Sequence, residues 1–201
     1  LVAIIDYDAG NIRSVEKALL SLGADAVVTS DPKEILEADH VILPGVGSFG
    51  SAMEQLKDRG LVEVIREVAR KNTPLLGICL GLQLLFEDSE ESPGVEGLGL
   101  LRGHIRRLPE GDGRKIPHIG WNDLSYPNQG DLFRGITEGC YVYFVHSYYL
   151  EADDPSIVTA TCEYGACVHA SIQSKHIYAC QFHPEKSSTV GLTILKNFLE
   201  S

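Results

Sequence analysis

Cys79 is the residue around which chemistry could be built. It stands in Thr73-Pro74-Leu75-Leu76-Gly77-Ile78-Cys79-Leu80-Gly81-Leu82-Gln83. The four residues before it are apolar or Gly, the pattern of a buried strand. Leu80 to Phe86 reads as the first turns of a helix. The cysteine therefore falls at a strand-to-helix turn with a glycine two residues to either side. That is the G-x-nucleophile-x-G elbow with Cys in place of Ser. Bulky neighbours would clash in so sharp a turn, and a helix N-terminus favours a reactive thiolate. A small buried core cysteine is the bland alternative, and this stretch alone leaves both open.

A cysteine nucleophile needs a base within hydrogen-bond reach, and the base needs an orienting group. Of the seven histidines, His183 stands out in Gln181-Phe182-His183-Pro184-Glu185. It follows a strand, and Glu185 lies two residues on, close enough to fix the imidazole tautomer and stabilise the imidazolium. A surface loop with a chance charge pair would look the same. Acyl transfer also needs donors for an oxyanion. The N–H of Leu80 is one candidate. Pro44-Gly45-Val46-Gly47 supplies others, because its glycines let backbone amides approach a substrate closely, although an ordinary strand-to-loop turn has the same composition.

The elements that must position these groups alternate through the first half. Leu1 to Asp6 is an apolar strand, followed by a helix with Ile12, Val15, Ala18, Leu19 and Leu22 on one face, which Asn11 is expected to cap and Gly23 to end. Ala26 to Val28 is a second strand, Asp31-Pro32 opens a short helix through Leu36, and Val41 to Leu43 is a third strand. Met53 to Leu56 and Leu61 to Ala69 read as helix. This alternation predicts an open, largely parallel sheet with helices on both faces. Ligands bind such sheets beyond the carboxyl ends of the strands, where the loops after Ile5, Leu43 and Ile78 would meet. The second half reads as short strands and turns: Leu100-Leu101, His104 to Leu108, Ile116 to Ile119, Tyr141 to Val145, and antiparallel strands over Ile157 to Cys162, Cys167 to Gln173 and His176 to Gln181. A helix from Thr189 to Leu199 closes the chain. The expected fold class is α/β with an added antiparallel portion in the C-terminal half, as a single domain over residues 1–201.

Hydrophobic residues make up 44% and charged residues 22% of the 201, the balance of a globular chain. The net charge of −11 argues against a general nucleic-acid or anionic-membrane surface. The five cysteines form no C-x-x-C pair, so neither a disulfide framework nor a zinc site is expected, and a reducing cytoplasm is. No stretch is long and apolar enough to span a membrane. The chain opens directly into Val2-Ala3-Ile4-Ile5, so no signal peptide is expected before the first strand, and the absent initiator Met points to a trimmed start.

Pro-Gly-Val-Gly, Gly-Ile-Cys-Leu-Gly-Leu-Gln and Phe-His-Pro-Glu, in this order, resemble the class I (triad) glutamine amidotransferases. Asp6-Tyr7-Asp8-Ala9-Gly10-Asn11, Pro117-His118-Ile119-Gly120-Trp121-Asn122, Tyr143-Phe144-Val145-His146-Ser147-Tyr148 and His183-Pro184-Glu185-Lys186-Ser187-Ser188 narrow the resemblance to the glutaminase subunits of imidazole glycerol phosphate synthases, from histidine biosynthesis. It spans essentially the whole chain, with no departure at a motif position.

The resemblance implies roles. Cys79 would attack the side-chain carboxamide of L-glutamine, His183 would pass a proton to the leaving ammonia and then activate water, and Glu185 would orient His183. Gly47 and Leu80 would supply oxyanion donors, after a backbone rearrangement around Val46. Gln83 and Glu91, with main-chain groups of Ser147 and Tyr148, would hold the amino-acid end of glutamine. The partner implied is a cyclase (β/α)8-barrel subunit, bound as a heterodimer through Asn11, Trp121, Asn122 and Lys186, with His118, Tyr143 and His146 facing the partner or simply packing. No cofactor or metal is implied.

Three rivals remain in view. The triad alone also suits an amidotransferase of pyridoxal phosphate, anthranilate or guanine nucleotide synthesis, against which the Pro-His-Ile-Gly-Trp-Asn stretch speaks. A cysteine hydrolase of the same sheet type lacks reason for Gly-Leu-Gln and His-Pro-Glu. A regulatory subunit that only binds a partner would not need Cys79, His183 and Glu185 together.

Overall fold

The computed structural model describes residues 1–9 and 11–201. Gly10, in the Asp6-to-Asn11 stretch, lies outside the described residues. In chain order the elements are β1 (Val2–Ile5), α1 (Ile12–Ser21), β2 (Ala26–Thr29), α2 (Pro32–Glu37), β3 (His40–Leu43), α3 (Phe49–Asp58), α4 (Val62–Arg70), β4 (Leu75–Ile78) and α5 (Leu80–Leu84). Then follow β5 (Asp88–Ser89), β6 (Gly103–Arg107), β7 (His118–Asp123), β8 (Tyr141–His146), β9 (Tyr148–Ala152), β10 (Val158–Glu163), β11 (Cys167–Ser174), β12 (Ile177–Cys180) and α6 (Ser188–Leu199).

Seven strands form the main sheet in the order β10-β11-β12-β4-β3-β1-β2. The block β12-β4-β3-β1-β2 is parallel, and β11 and β10 extend it antiparallel. The carboxyl ends of β1, β3, β4 and β12 therefore share one edge. β12 was expected as part of an antiparallel group, and it is antiparallel to β11 but parallel to β4. That central position delivers the segment after Cys180 to the same edge as Cys79. A three-stranded sheet (β5-β6-β9) and the β7-β8 pair stand beside the main sheet.

Strand alternation divides the core. Ala3 and Ile5 pack on one face with Ile35 of α2, Phe49 and Leu56 of α3 and Ile65 of α4. Val2 and Ile4 pack on the other with Leu19 of α1 and Phe198 of α6. Each fully buried Leu, Ile or Phe contributes roughly 1.5–3 kcal/mol relative to an exposed one. Both faces of the parallel strands are thus covered by helices, which leaves the strand ends as the place for ligands.

Several local expectations are corrected. Asn11 occupies the N-cap position of α1 in the left-handed region (φ 55°), but its side chain makes no capping bond. α3 begins at Phe49, four residues before the expected Met53. Its first turn is held by Ser48 Oγ, which accepts from Ser51 N–H, and by Glu91 and Ser92, which accept from the N–H groups of Phe49 and Gly50. Leu100-Leu101 is a bend, with both N–H groups bonded to the Leu85 carbonyl. Tyr148–Ala152 is a strand that the sequence reading passed over; it pairs antiparallel with β6.

The elbow itself rests on close backbone approach. A Cβ on Gly77 would sit 2.8 Å from the Gly81 carbonyl oxygen, and one on Gly81 would drive into the Leu43 carbonyl at the end of β3. Replacing Gly81 with Ala is therefore expected to destabilise the fold by about 3 kcal/mol, at the upper end of ordinary overpacking costs because backbone must give way. A lowered urea midpoint with an unchanged m-value checks this; an unshifted midpoint refutes the contact.

Candidate active site

Cys79 caps α5 with φ 54° and ψ −111°. A non-glycine residue there is strained, by roughly 1–3 kcal/mol, and the surrounding packing must hold it. The strain lifts the side chain off the end of β4 into a cleft of about 250 Å³. His183, three residues beyond β12, reaches the same cleft. Burial pushes the Cys162 and Cys180 thiols up to about 12, so those cysteines stay protonated and inert. Cys79 is the cysteine that lines the cleft.

His183 and Glu185 form a buried pair, with Nδ1 2.6 Å from Oε1 and side chains only 2% and 1% exposed. A carboxylate accepts, so Nδ1 carries the proton. Nε2 is left without a protein hydrogen-bond partner among the described residues and is the nitrogen free to serve the sulfur. Burial alone would push His183 down. The sulfur of Cys79 and the carboxylate of Glu185 outweigh it and push His183 up to about 10. The imidazolium is thus held beside the sulfur across the neutral range, where it can protonate a leaving nitrogen.

Three residues that the sequence reading left without a role support this arrangement. Gln181 donates from Nε2 to Cys79 Sγ at 3.8 Å. Ser187 accepts from the Tyr143 N–H and donates to the His183 carbonyl, at 3.0 and 2.6 Å, tying β8 to the histidine loop. The buried Tyr7 hydroxyl donates to the Pro44 carbonyl at 2.6 Å, and burial pushes that hydroxyl well up, so it remains a donor. For Gln181 the only available signal was its place two residues before His183.

The remaining residues singled out from sequence fall as follows. Gly47, Leu80, Gln83, Glu91, Ser147 and Tyr148 all line the cleft with Cys79 and His183. The Leu80 N–H is engaged, donating to the Gly45 carbonyl at 3.3 Å. Gly47 has φ 101° and open space around it. Gln83 is buried and donates to the Tyr148 carbonyl at 3.1 Å and to Gln181 Oε1 at 3.0 Å. Asn11 donates to Glu185 Oε1 at 3.3 Å, so it touches the triad carboxylate directly. Trp121 is 53% exposed, with Ile119 and Tyr141 exposed near it on β7 and β8. Asn122 is half-buried and Lys186 exposed. Away from the cleft, Glu87, His104 and Asp153 bring ligand-type atoms within 4.8 Å of one another on the surface. There the Asp88 carboxylate, 2.7 Å from His104 Nδ1, raises the imidazole's proton affinity and favours an ion pair over metal ligation.

A thiol, an imidazole held by a carboxylate, and strand-end backbone thus meet in one cleft at the carboxyl edge of a parallel sheet. The class-I glutamine amidotransferase family model matches residues 3–201, and the chain belongs to that family. It is similar to the imidazole glycerol phosphate synthase subunit HisH of Moorella thermoacetica, at 56% identity over 99% of this chain and 94% of that protein. The subunit of the same name from Geobacter sulfurreducens is 50% identical, over 99% and 98%. Among solved structures, a glutamine amidotransferase superposes with TM-score 0.77 at 21% identity, covering 99% of this chain and 97% of that one. PurLQS from Thermotoga maritima gives 0.71 at 19%, with the same coverage; these two support the fold alone.

Replacing Glu185 with Gln should leave the fold intact and lower kcat by about 10²–10⁴-fold, the range seen when a triad carboxylate is neutralised. The imidazole should then release its proton at lower pH, because the carboxylate that raised it is gone. Ring-nitrogen NMR titration of His183 in both proteins checks the sign.

Proposed function

We propose that this enzyme hydrolyses glutamine to glutamate and delivers the ammonia to a partner cyclase, as the glutaminase subunit of an imidazole glycerol phosphate synthase in histidine biosynthesis. The observation that carries the reading is the buried His183–Glu185 pair set beside Cys79 in one cleft with Gln83 and Glu91. The sulfur of Cys79 attacks the side-chain carbonyl carbon of glutamine. The carbon–nitrogen bond breaks as His183 gives its proton to the departing ammonia, which leaves a thioester on Cys79. The now neutral His183 takes a proton from water, whose oxygen displaces the sulfur and releases glutamate. Asn11 and Glu185 keep the imidazole in register through both halves.

The oxyanion donors are the N–H groups of Gly47 and Leu80. With the Leu80 N–H bonded to Gly45, that donor becomes available when the Gly45–Val46 backbone turns away from it. Gln83, Glu91 and the main chain of Ser147 and Tyr148 grip the amino-acid end of the substrate. The Glu91 carboxylate already binds the Phe49 N–H at 2.8 Å, which fixes one oxygen and leaves the other for an ammonium group.

Ammonia in water is protonated and no longer a nucleophile, so it must be passed on shielded. The acceptor site is assigned to a (β/α)8-barrel cyclase subunit bound as a heterodimer, a reading supported by the name of the relatives as subunits of a synthase. Trp121, Asn122, Asn11 and Lys186 form its docking surface, supported by the exposed Ile119, Trp121 and Tyr141 beside the cleft. Residues 1–201 act as one glutaminase domain. Its place is the reducing cytoplasm, which suits five free thiols. Among the described residues no helix is long and apolar enough to cross a membrane.

Glutamate release is to be measured for this chain alone, then with a cyclase barrel and its ribotide ligand. Little turnover alone and strong turnover in the complex is the expected result, with all of it lost in Cys79→Ala. Brisk turnover that ignores the barrel would indicate a freestanding glutaminase. Trp121→Ala should weaken the complex by about 2 kcal/mol or more, roughly thirtyfold in Kd, as truncation of an aromatic interface anchor does; an unchanged Kd would move the docking surface elsewhere.

A further inference from the structure

Strand β7 has two faces. Ile119 and Trp121 point outward and are exposed, while His118 and Asn122 point inward. Behind the strand His118 and His146 are buried, 3% and 6% exposed. Neither is needed for the acyl-transfer steps above. His118 Nδ1 lies 3.0 Å from His146 Nε2. His146 Nδ1 lies 2.9 Å from the Tyr148 carbonyl. At the other end Asn122 Nδ2 lies 3.3 Å from His118 Nε2.

The direction of every bond in this row is fixed from its two ends. The Tyr148 carbonyl can only accept, so His146 Nδ1 carries a hydrogen and Nε2 is an acceptor. His118 Nδ1 must then donate, which leaves His118 Nε2 as an acceptor for Asn122. The Asn122 amide cannot be reversed, because its oxygen accepts from the Asp123 N–H at 2.9 Å and its nitrogen also donates to the Glu163 carbonyl at 3.4 Å. Stacking holds the first ring in place: His118 lies between Phe144 and Tyr164, with centroids at 4.7 and 3.9 Å and planes within 22° and 19°. Burial pushes His118 down to about 4 and His146 down to about 3, so both rings are neutral, as the row requires.

The row does not stop at Tyr148. The same carbonyl accepts from Gln83 Nε2, which also donates to Gln181 Oε1, and Gln181 donates to Cys79 Sγ. We propose that His118 and His146 are positioning residues of the glutamine pocket, a one-way hydrogen-bond relay that couples Asn122, on the strand bearing the exposed Trp121, to the Tyr148 carbonyl and the Gln83 amide. The inference rests on the glutaminase reading and assigns positioning roles to His118, which is not among the residues lining the cleft, and to His146, whose buried ring borders it. A displacement of β7 by a docked partner turns the rings, and the Tyr148 carbonyl and Gln83 follow, because each ring nitrogen is committed to one partner.

The first test uses unmodified protein labelled with ¹⁵N-histidine at pH 7. Both rings are expected as the Nδ1–H tautomer; an Nε2–H tautomer or a charged ring at either position overturns the relay. The second uses His118→Phe, which keeps the stack between Phe144 and Tyr164 and deletes both nitrogens. In the complex with the cyclase, its KM for glutamine should rise about three- to tenfold, the worth of one hydrogen bond. Alkylation of Cys79 by iodoacetamide should keep its rate. His118→Asn, whose amide can donate from the Nδ1 position, should recover most of the loss. Unchanged KM in folded His118→Phe, or equal loss in both variants, refutes the proposal. Should His118→Phe fail to fold, His146→Asn, which keeps the donor to Tyr148 but not the acceptor for His118, gives the same KM comparison. Absence of glutamate release from the unmodified complex would instead sink the glutaminase reading, while the ring tautomers, which need no glutamine, would still decide the relay.

Discussion

Between Gly81 and the carbonyl of Leu43 there is no room for a methyl group, and the geometry of the site depends on that contact. It brings the start of α5 against the end of β3, forces Cys79 into a left-handed conformation between β4 and α5, and sets the Leu80 N–H against the Gly45 carbonyl. A looser elbow would let Cys79 relax, and the sulfur would drop back toward the sheet. Parallel pairing of β4 with β12 then fixes where His183 emerges relative to that sulfur. The nucleophile and its base are separated by about a hundred residues of chain, yet their relative position is set by a four-residue register.

The parts of the site differ in how they are held. The histidine and its carboxylate are held from several sides: Glu185 to His183 and Asn11, His183 to Tyr143 through its backbone N–H, and Ser187 across to β8. A side chain on Gly47 would meet nothing within 4 Å, and Val46 is 40% exposed. Buried, hydrogen-bonded side chains on one wall of the cleft thus face a partly exposed loop on the other. β8 belongs to both worlds, since it carries the Tyr143 backbone that holds the histidine loop and pairs along its length with the strand bearing Trp121.

The alternating strands and helices of the first half were legible because each carries a local signature: an apolar run, a Pro at a helix start, a Gly at its end. The triad was legible because Gly-x-Cys-x-Gly and His-Pro-Glu are compact motifs. What escaped was set by distant partners. α3 was begun too late because Gly50 weakens the helical pattern, while the caps that start the helix come from Glu91 and Ser92, some forty residues away. Asn11 reads as a helix cap, but its side chain turns to Glu185, donating to the carboxylate from Nδ2, and its oxygen makes no capping bond. β9 was missed because Tyr148-Tyr149-Leu150 continues an aromatic run with no break in composition at Ser147. The Cys79 sulfur bonded by Gln181, the Tyr143 N–H bonded to Ser187 and the Pro44 carbonyl bonded by Tyr7 lie 37 to 102 residues away, a separation that no periodicity records.

Trp121 is the single tryptophan of the chain, half exposed and edge-on to Tyr143 at 6.0 Å. Its indole is therefore the sole chromophore of its kind, seated on the strand whose inner face carries the histidine row. Emission excited at the red edge reports one position in the molecule, free of the eight tyrosines. A surface that covers this hairpin would exchange water for protein around the ring and shift its fluorescence to the blue. The molecule thus carries its own unlabelled optical probe, placed on the exposed face of this hairpin.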